Sequence, residues 1–410
     1  MAYARVMRVH LGRLALVLAV LLPDVPAFAQ QQPLTLAAAT ERALAANPTI
    51  AAARLQGAVA QNALGVARER LNPEVRAEFE REAPTNNYTV TVPIETGGKR
   101  GRRMAVAEAG IRVTDAEIAV AVAETRASVR LAFFGRVTAE LRSTLLDELQ
   151  GIAARVVSTA QQRFDAGSAP RLEVLQADLA RSEADNLALA ARGAVTAARA
   201  TLNALLAYPV EAVTPIDTSL ANAAPSSTEA ALTRARTAST ALALLDRRIE
   251  EQRARLAFAR AMQTPDVTTE GAVTRGQPEF ATGWRASVSV AIPLFARHRA
   301  AVDLEEATLA QVTAEREASA ARIRGEVSAA ALNADTQRQL FLRYQTQIIP
   351  QALEVERMAE DSYTLGQTGI AAFLQALQAT RDVRLRALQA ATDFQTALAE
   401  LERAIGAPLP

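Results

Sequence analysis

The chain has 410 residues, of which half are hydrophobic and only 4% aromatic, and its 45 Lys and Arg residues balance 44 Asp and Glu residues. This even charge gives no indication of a nucleic-acid partner. Cysteine is absent and histidine occurs twice, which excludes disulfides and leaves too few ligands for a Cys/His metal site or a Ser-His-Asp triad. We therefore expect an elongated body of alanine-rich helices, with no cofactor, no tightly bound transition metal and no enzymatic activity.

The N-terminus has the pattern of a secretory signal peptide. Arg5, Arg8 and Arg13 precede an apolar run over residues 14–22, and Ala27-Phe28-Ala29 supplies small residues for cleavage after Ala29. The run is less than half of the about 20 residues that a membrane-spanning helix needs. Residues 1–29 are therefore predicted to be removed on export.

The remainder of the chain is predicted to be a duplicated unit. Residues 30–210 form a first repeat and residues 228–410 a second, with a linker over 211–227. Short motifs recur at offsets of 199, 192 and 200 residues, as in the pairs Phe164 and Tyr363, Pro73 and Pro265, and Pro93 and Pro293. Each half has the order helix, two strands, very long helix, turn, helix. The fold class is mainly α with a small β part.

The two predicted strand pairs alternate between apolar and polar residues. They cover residues 74–82 and 87–94 in the first repeat and 266–274 and 284–293 in the second. The polar positions, which we expect to line a wet lumen, are Arg76, Glu78, Glu80, Thr89, Thr91, Thr268, Glu270, Arg285, Ser287 and Ser289. A soluble hairpin with its polar face in water is the alternative.

Four strands cannot close a transmembrane barrel, whose minimum is about eight, whereas three copies of the chain would supply twelve. On the apolar side, Tyr88 and Trp284 are predicted to lie at a membrane interface.

A basic segment follows the second strand. Gly97 and Gly98 precede Lys99, Arg100, Arg102 and Arg103, but Pro93 occupies the first glycine position of a phosphate-binding loop, so that motif is excluded. We expect these cations near lipid phosphates at the membrane edge, with a solvated basic turn as the alternative. Because four cations oppose the dipole of a helix N-terminus, an anionic group is expected nearby.

Very long helices are predicted after each strand pair. Residues 101–164 contain no proline, and the matching stretch, residues 295–363, contains one, Pro350. Pro350 lies opposite Gly151 of the first repeat, so a weak point in the helix is expected at both positions. Helices of this length need lateral partners. The returning helices, predicted over residues 171–206 and 371–405, would supply them.

These features together resemble the TolC family of outer-membrane efflux proteins. The resemblance rests on the two-fold repeat, on the turns from Phe164 to Gly167 and from Tyr363 to Gly366, on the Leu-Gln-Ala after each turn, and on Pro350. It implies a homotrimer in the outer membrane of a Gram-negative bacterium, with a 12-stranded barrel continued by a periplasmic helical tunnel. It also implies outer-membrane lipid, a periplasmic adaptor protein and an inner-membrane RND-type pump as partners.

The segment from Ile94 to Arg103 resembles the signature of the CzcC-like branch, which implies export of heavy-metal cations. A duct for drug efflux or type I protein secretion has the same fold, and a structural periplasmic coiled-coil protein is a further alternative.

The family resemblance also implies a gate at the periplasmic helix tips. The predicted contact is a hydrogen bond between Tyr363 and Glu173, with Arg171 as an added partner. The family's acidic ring often falls at positions that here are Ala372 and Gln375, so a cation-binding ring is not expected. The alternative is that Tyr363 packs in the turn and that Glu173 is a solvated first-turn acid.

Overall fold

The computed structural model describes residues 33–81, 86–220, 224–275 and 282–409. The predicted signal peptide and most of both predicted strand-to-strand turns lie outside these ranges. The elements in chain order are α1 (Leu36–Ala46), α2 (Pro48–Arg68), β1 (Glu74–Phe79), β2 (Asn86–Ile94), α3 (Lys99–Asp165), α4 (Arg171–Leu205), α5 (Thr228–Ala238), α6 (Thr240–Ala261), β3 (Val267–Arg275), β4 (Gly283–Val290), α7 (Arg299–Arg343), α8 (Ile349–Thr364) and α9 (Ile370–Ile405).

The prediction of a mainly helical chain with a small β part is confirmed. α3 alone has 67 residues, which corresponds to about 100 Å at 1.5 Å per residue. α4 returns along one end of α3, while α2 and α6 lie along the other. In the described part of the chain, no helix is both long and apolar enough to cross a bilayer.

The second long helix is interrupted where proline occurs. A π-helical turn, Tyr344–Ile348, separates α7 from α8, and Pro350 occupies the first turn of α8. Proline has no N–H, and its ring crowds the carbonyl one turn earlier, so the wider turn accommodates it. The expected weak point at Gly151 is not observed, because α3 continues through that residue.

Three buried clusters hold the helices together. One joins α5, α7 and α9 and includes the stacked rings of Phe341 and Phe394. A second lies near the α3–α4 and α8–α9 turns, and a third joins α1, α3 and the end of α4. Alanine recurs in all three clusters, which permits close approach of the helix backbones.

The four strands form one antiparallel sheet in the order β1-β2-β3-β4. Val75 pairs with Val90 in the first hairpin and Val267 pairs with Val290 in the second. These pairs differ by 192 and 200 residues, which are the offsets found in the sequence, so the two hairpins have equivalent registers. β1 ends at Phe79 rather than near residue 82, and β4 ends at Val290 rather than 293.

Candidate functional site

The register places the predicted polar strand residues on one face of the sheet. Thr89 is opposite Arg76 on one side and Ala272 on the other, and Glu270 is opposite Thr91 and Ser287. Glu80 lies beyond the end of β1.

Two ion pairs lie on this polar face. Arg285 of β4 pairs with Glu270 of β3 at 3.0 Å, and Arg76 pairs with Glu78 of the same strand, β1, at 3.8 Å. The polar face therefore combines mutually neutralising charges with short hydroxyl side chains.

The opposite face of the sheet is apolar and exposed. Trp284 is 82% exposed and Val75 is 74% exposed, whereas Thr89 and Ala272 on the polar face are buried. The other large apolar residues on the exposed face are Phe79, Tyr88, Val90, Val92, Ile94, Val273, Val288 and Val290. A contiguous apolar surface of this kind requires a non-aqueous neighbour. Tyr88 and Trp284 lie toward the sheet end that is remote from α3.

The basic segment at the start of α3 differs from the prediction. Lys99 is buried and its Nζ lies 2.7 Å from Oδ1 of Asp266, so it is not available to lipid phosphates. Burial opposes the charged form of Asp266, but the Lys99 and Thr96 hydrogen bonds outweigh it and lower the pKa of this carboxyl. Asp266 is thus the anion expected near the helix N-terminus, and it ties α3 to the start of β3.

Two arginines of this segment bind the end of α2. Arg100 Nε donates to the Arg68 carbonyl at 2.8 Å, and Arg103 donates to the carbonyls of Ala67 and Glu69. Cations are favoured at a helix C-terminus because the carbonyl dipoles point outward there. Arg103 also pairs with Glu95 at 2.6 Å, while Arg102 remains exposed and makes no ion pair with the described residues. A lipid contact stays a prediction for Arg102.

Gly97 permits this junction to close. It has φ +63°, and a Cβ added there would lie 2.8 Å from the Thr264 side chain, whereas a Cβ added at Gly98, at φ +71°, would meet open space.

We expect Gly97→Ala to lower the free energy of unfolding, and with it the unfolding temperature, because the added methyl group would crowd Thr264. The loss should exceed the about 1–2 kcal/mol that the left-handed conformation costs an L residue. Gly98→Ala is the matched control and should show only that conformational cost. Equal unfolding temperatures for the two variants would contradict the close packing at Thr264.

The two helix tips have the same turn geometry. Gly167 and Gly366 adopt φ +70° and +72°, and their N–H groups donate to Phe164 and Tyr363. The next N–H in each turn donates to the residue before the aromatic, at 2.8 Å in both cases. Glycine is favoured at this left-handed position, and the pattern satisfies carbonyls at the helix end.

A partly buried cluster joins the two tips around Arg163. Its guanidinium donates to the Tyr363 carbonyl at 3.1 Å, lies 5.2 Å from the centre of the Tyr363 ring, and is 3.7 Å from the Glu173 carboxylate. Tyr363 is buried and stacks on Phe373 at 5.3 Å, whereas Phe164, its counterpart in the first repeat, is 40% exposed. Arg163 therefore links α3, α4 and the end of α8.

The predicted hydrogen bond between Tyr363 and Glu173 is not formed. The Tyr363 hydroxyl has no hydrogen-bond partner among the described residues, and neither have Glu173 Oε2 and Arg163 Nε, which face each other at 3.7 Å as an ion pair without a hydrogen bond. Burial raises the pKa of Tyr363, and the Glu173 charge adds to this shift while Arg163 opposes it. Arg171 and Gln375 are exposed and make no hydrogen bond or ion pair within the described ranges. A gating role for these residues stays a prediction.

Arg163 was missed because its counterpart in the second repeat is Ser362, so the repeat pattern did not mark it. Its signal was a cation in the last turn of a helix, which complements the helix dipole. In the described residues, no three His, Asp or Glu side chains come together as metal ligands.

Comparison with known proteins identifies the family. The sequence profile described as outer membrane efflux protein matches residues 39–207 and 231–407. The chain belongs to the outer membrane efflux protein family. This confirms the predicted resemblance to the TolC family and the predicted location in the outer membrane, with the helices extending into the periplasm.

Two curated relatives are similar over part of the chain. The cobalt-zinc-cadmium resistance protein CzcC of Cupriavidus metallidurans is 28% identical over 67% of this chain and 67% of its own length. The nickel-cobalt-cadmium resistance protein NccC of Alcaligenes xylosoxydans xylosoxydans is 29% identical over 58% of this chain and 55% of its own length.

The fold is also that of solved channels. The structure of the outer-membrane channel OprN superposes with a TM-score of 0.74, covering 90% of this chain and 89% of that one, at 18% identity. This likeness shows the fold, and the family is one of efflux channels rather than enzymes.

Proposed function

We propose that the chain is the outer-membrane duct of a tripartite efflux system that exports heavy-metal cations. The observation that carries this proposal is the four-stranded sheet, with one exposed apolar face and one polar face, at the end of long periplasmic helices. Three copies would supply twelve strands, with the apolar faces toward lipid and the polar faces around an aqueous lumen. The match of the family profile to both halves of the chain supports the duplicated architecture.

The helical part would conduct substrate from the periplasm. A periplasmic adaptor and an inner-membrane pump would deliver that substrate, as the family resemblance implies. The duct itself would not bind the metal tightly, since export requires release. The Arg163 cluster would hold the tips of α3–α4 and α8–α9 together and so restrict the periplasmic opening.

The printed names of the two relatives support a metal as the cargo. Both are named for resistance to cobalt and cadmium, together with zinc or nickel. The exported ion would therefore be one of the divalent transition-metal cations.

The experiment is a deletion strain complemented from a plasmid. We expect minimal inhibitory concentrations of Co²⁺, Zn²⁺, Cd²⁺ or Ni²⁺ to fall several-fold on deletion and to recover with the wild-type chain, while tolerance of ethidium and acriflavine is unchanged. Sensitivity to the organic dyes alone would replace metal export with drug efflux, and loss of a secreted protein alone would indicate a secretion duct.

A further inference from the structure

The first strand-to-helix junction is packed against the second half of the chain, but the second is not. After β2, Lys99 is buried against Asp266. After β4, residues 294–300 are all exposed, and Phe295 is 98% exposed. Arg299 is the counterpart of Lys99 at the strand offset of 200 residues, and it makes no ion pair with the described residues. In the part of the chain that the structure describes, the second junction thus lacks the neighbour that the first one has.

The sheet ends in the same asymmetric way. β2 continues to Ile94 and pairs there with Val267 of β3, whereas β4 ends at Val290, four residues short of the counterpart of Ile94. β1 and β4 are the two edges of the described sheet. Unpaired edges carry free N–H and C=O groups, so an edge strand pairs readily with another strand.

Because the two hairpins have equivalent registers, the pairing of β2 with β3 predicts how a free β4 edge would pair with a free β1 edge. The counterpart of a β2 residue in β4 is 200 residues later, and the counterpart of a β3 residue in β1 is 192 residues earlier. The pair Val92 with Thr269 therefore corresponds to Ile292 with Ala77. In the same way, the ion pair of Lys99 with Asp266 corresponds to Arg299 with Glu74.

The residue types at these positions favour a contact between β4 and β1. Arg299 and Glu74 carry opposite charges, as Lys99 and Asp266 do, and Ile292 and Ala77 are both apolar residues on the exposed face. Among the described residues, the Glu74 side chain is bound only to the neighbouring Arg76, and it is 62% exposed. α2 also exposes an apolar stripe of Leu55, Val59 and Val66, and α7 exposes Leu304, which matches the way α6 packs on α3 within the chain.

We infer that the free edges join copies of this chain in a defined register, in which Ile292 of one copy is opposite Ala77 of the next and Arg299 pairs with Glu74 of that same copy. This inference rests on the proposed trimeric duct and specifies its contact. β4 then extends to residue 294, which restores the equivalence with β2. Each copy supplies the anion that the other copy's junction lacks.

The absence of native cysteine permits a direct test of the register. In the full-length protein purified in detergent, the double variant Ala77→Cys with Ile292→Cys should oxidise to a covalent trimer. The matched control, Ala77→Cys with Val290→Cys, is shifted by two residues and should crosslink at least several-fold less, because diagonal Cα atoms lie about 7–8 Å apart. Each single variant should remain uncrosslinked.

Charge reversal tests the ion pair. Arg299→Glu alone and Glu74→Arg alone should each lower the temperature at which the detergent-solubilised trimer dissociates on gels, and the double reversal should restore it. Arg297→Glu, in the same junction, is the control for a charge change without the pair and should not be rescued by Glu74→Arg.

The outcomes separate the inference from the proposed function. Crosslinking at 77–292 with rescue by double reversal supports the register. A stable trimer that crosslinks better at 77–290, or that shows no rescue, overturns the register and leaves the duct. A protein that is monomeric in detergent overturns both.

Discussion

Replacing Val288 with arginine should prevent accumulation of the protein in the outer membrane. Val288 is 69% exposed on the apolar face of β4 and is central in the predicted strand 284–293. An arginine on the lipid face of a transmembrane strand costs about 2–4 kcal/mol near the bilayer midplane, and the cost recurs in each copy. The measurement is the amount of heat-modifiable trimer in the outer-membrane fraction, which should fall to near the detection limit.

The neighbouring residue provides the matched control. Ser287 precedes Val288 and lies on the polar face opposite Glu270, so Ser287→Arg adds the same charge to the aqueous side and should leave the trimer largely unchanged. Equal loss for both variants would show that β4 tolerates no large cation, whichever face it occupies. Normal assembly of Val288→Arg would contradict the assignment of the apolar face to lipid.

Replacing Arg163 with alanine should open the periplasmic tip. The change removes the 3.1 Å hydrogen bond to the Tyr363 carbonyl and leaves the Glu173 carboxylate, with a side chain only 14% exposed, without its cation. A hydrogen bond to a charged group contributes about 1.5–3 kcal/mol, and three copies act together. Single-channel recordings in planar bilayers should show a higher conductance or a higher open probability.

Arg171→Ala is the control for Arg163→Ala. Arg171 lies in the same tip but is exposed and makes no ion pair with the described residues, so its removal changes the local charge equally without breaking the cluster. We expect its conductance to remain close to that of the wild type. Identical currents for both alanine variants would show that charge alone, and not the Arg163 contacts, governs the tip.

Much of the architecture was predictable because the sequence carries two strong periodicities. Alternation in β2 and β4 separates Thr89, Thr91 and Ser287 from Val90 and Val288, and the register keeps that separation across the sheet. The long proline-free stretch predicts α3 to within two residues at its N-terminal end. Local pattern is sufficient where every second or every fourth residue must face the same environment.

The side-chain partners were less predictable because they depend on contacts across the two halves. From the sequence, a basic segment is expected to be exposed. Lys99 is nevertheless buried, because Asp266, 167 residues away in the sequence, lies beside it. Arg163 donates to the carbonyl of Tyr363, 200 residues later, and the expected hydrogen bond between Tyr363 and Glu173 is not formed. The offsets between the repeats predict which positions are equivalent. They do not predict which of two unlike side chains at equivalent positions forms an ion pair or a hydrogen bond.

Cysteine accessibility is the most direct test of a channel through the outer membrane. Thr91 lies on the polar face of β2 and Val90 on the apolar face, and the chain has no cysteine of its own. In planar bilayers, Thr91→Cys trimers should conduct ions, and a charged, membrane-impermeant thiol reagent should change that conductance promptly. Val90→Cys trimers should conduct without responding. Absence of any conductance, or an equal response of both variants, would contradict a channel lined by the polar face of the sheet.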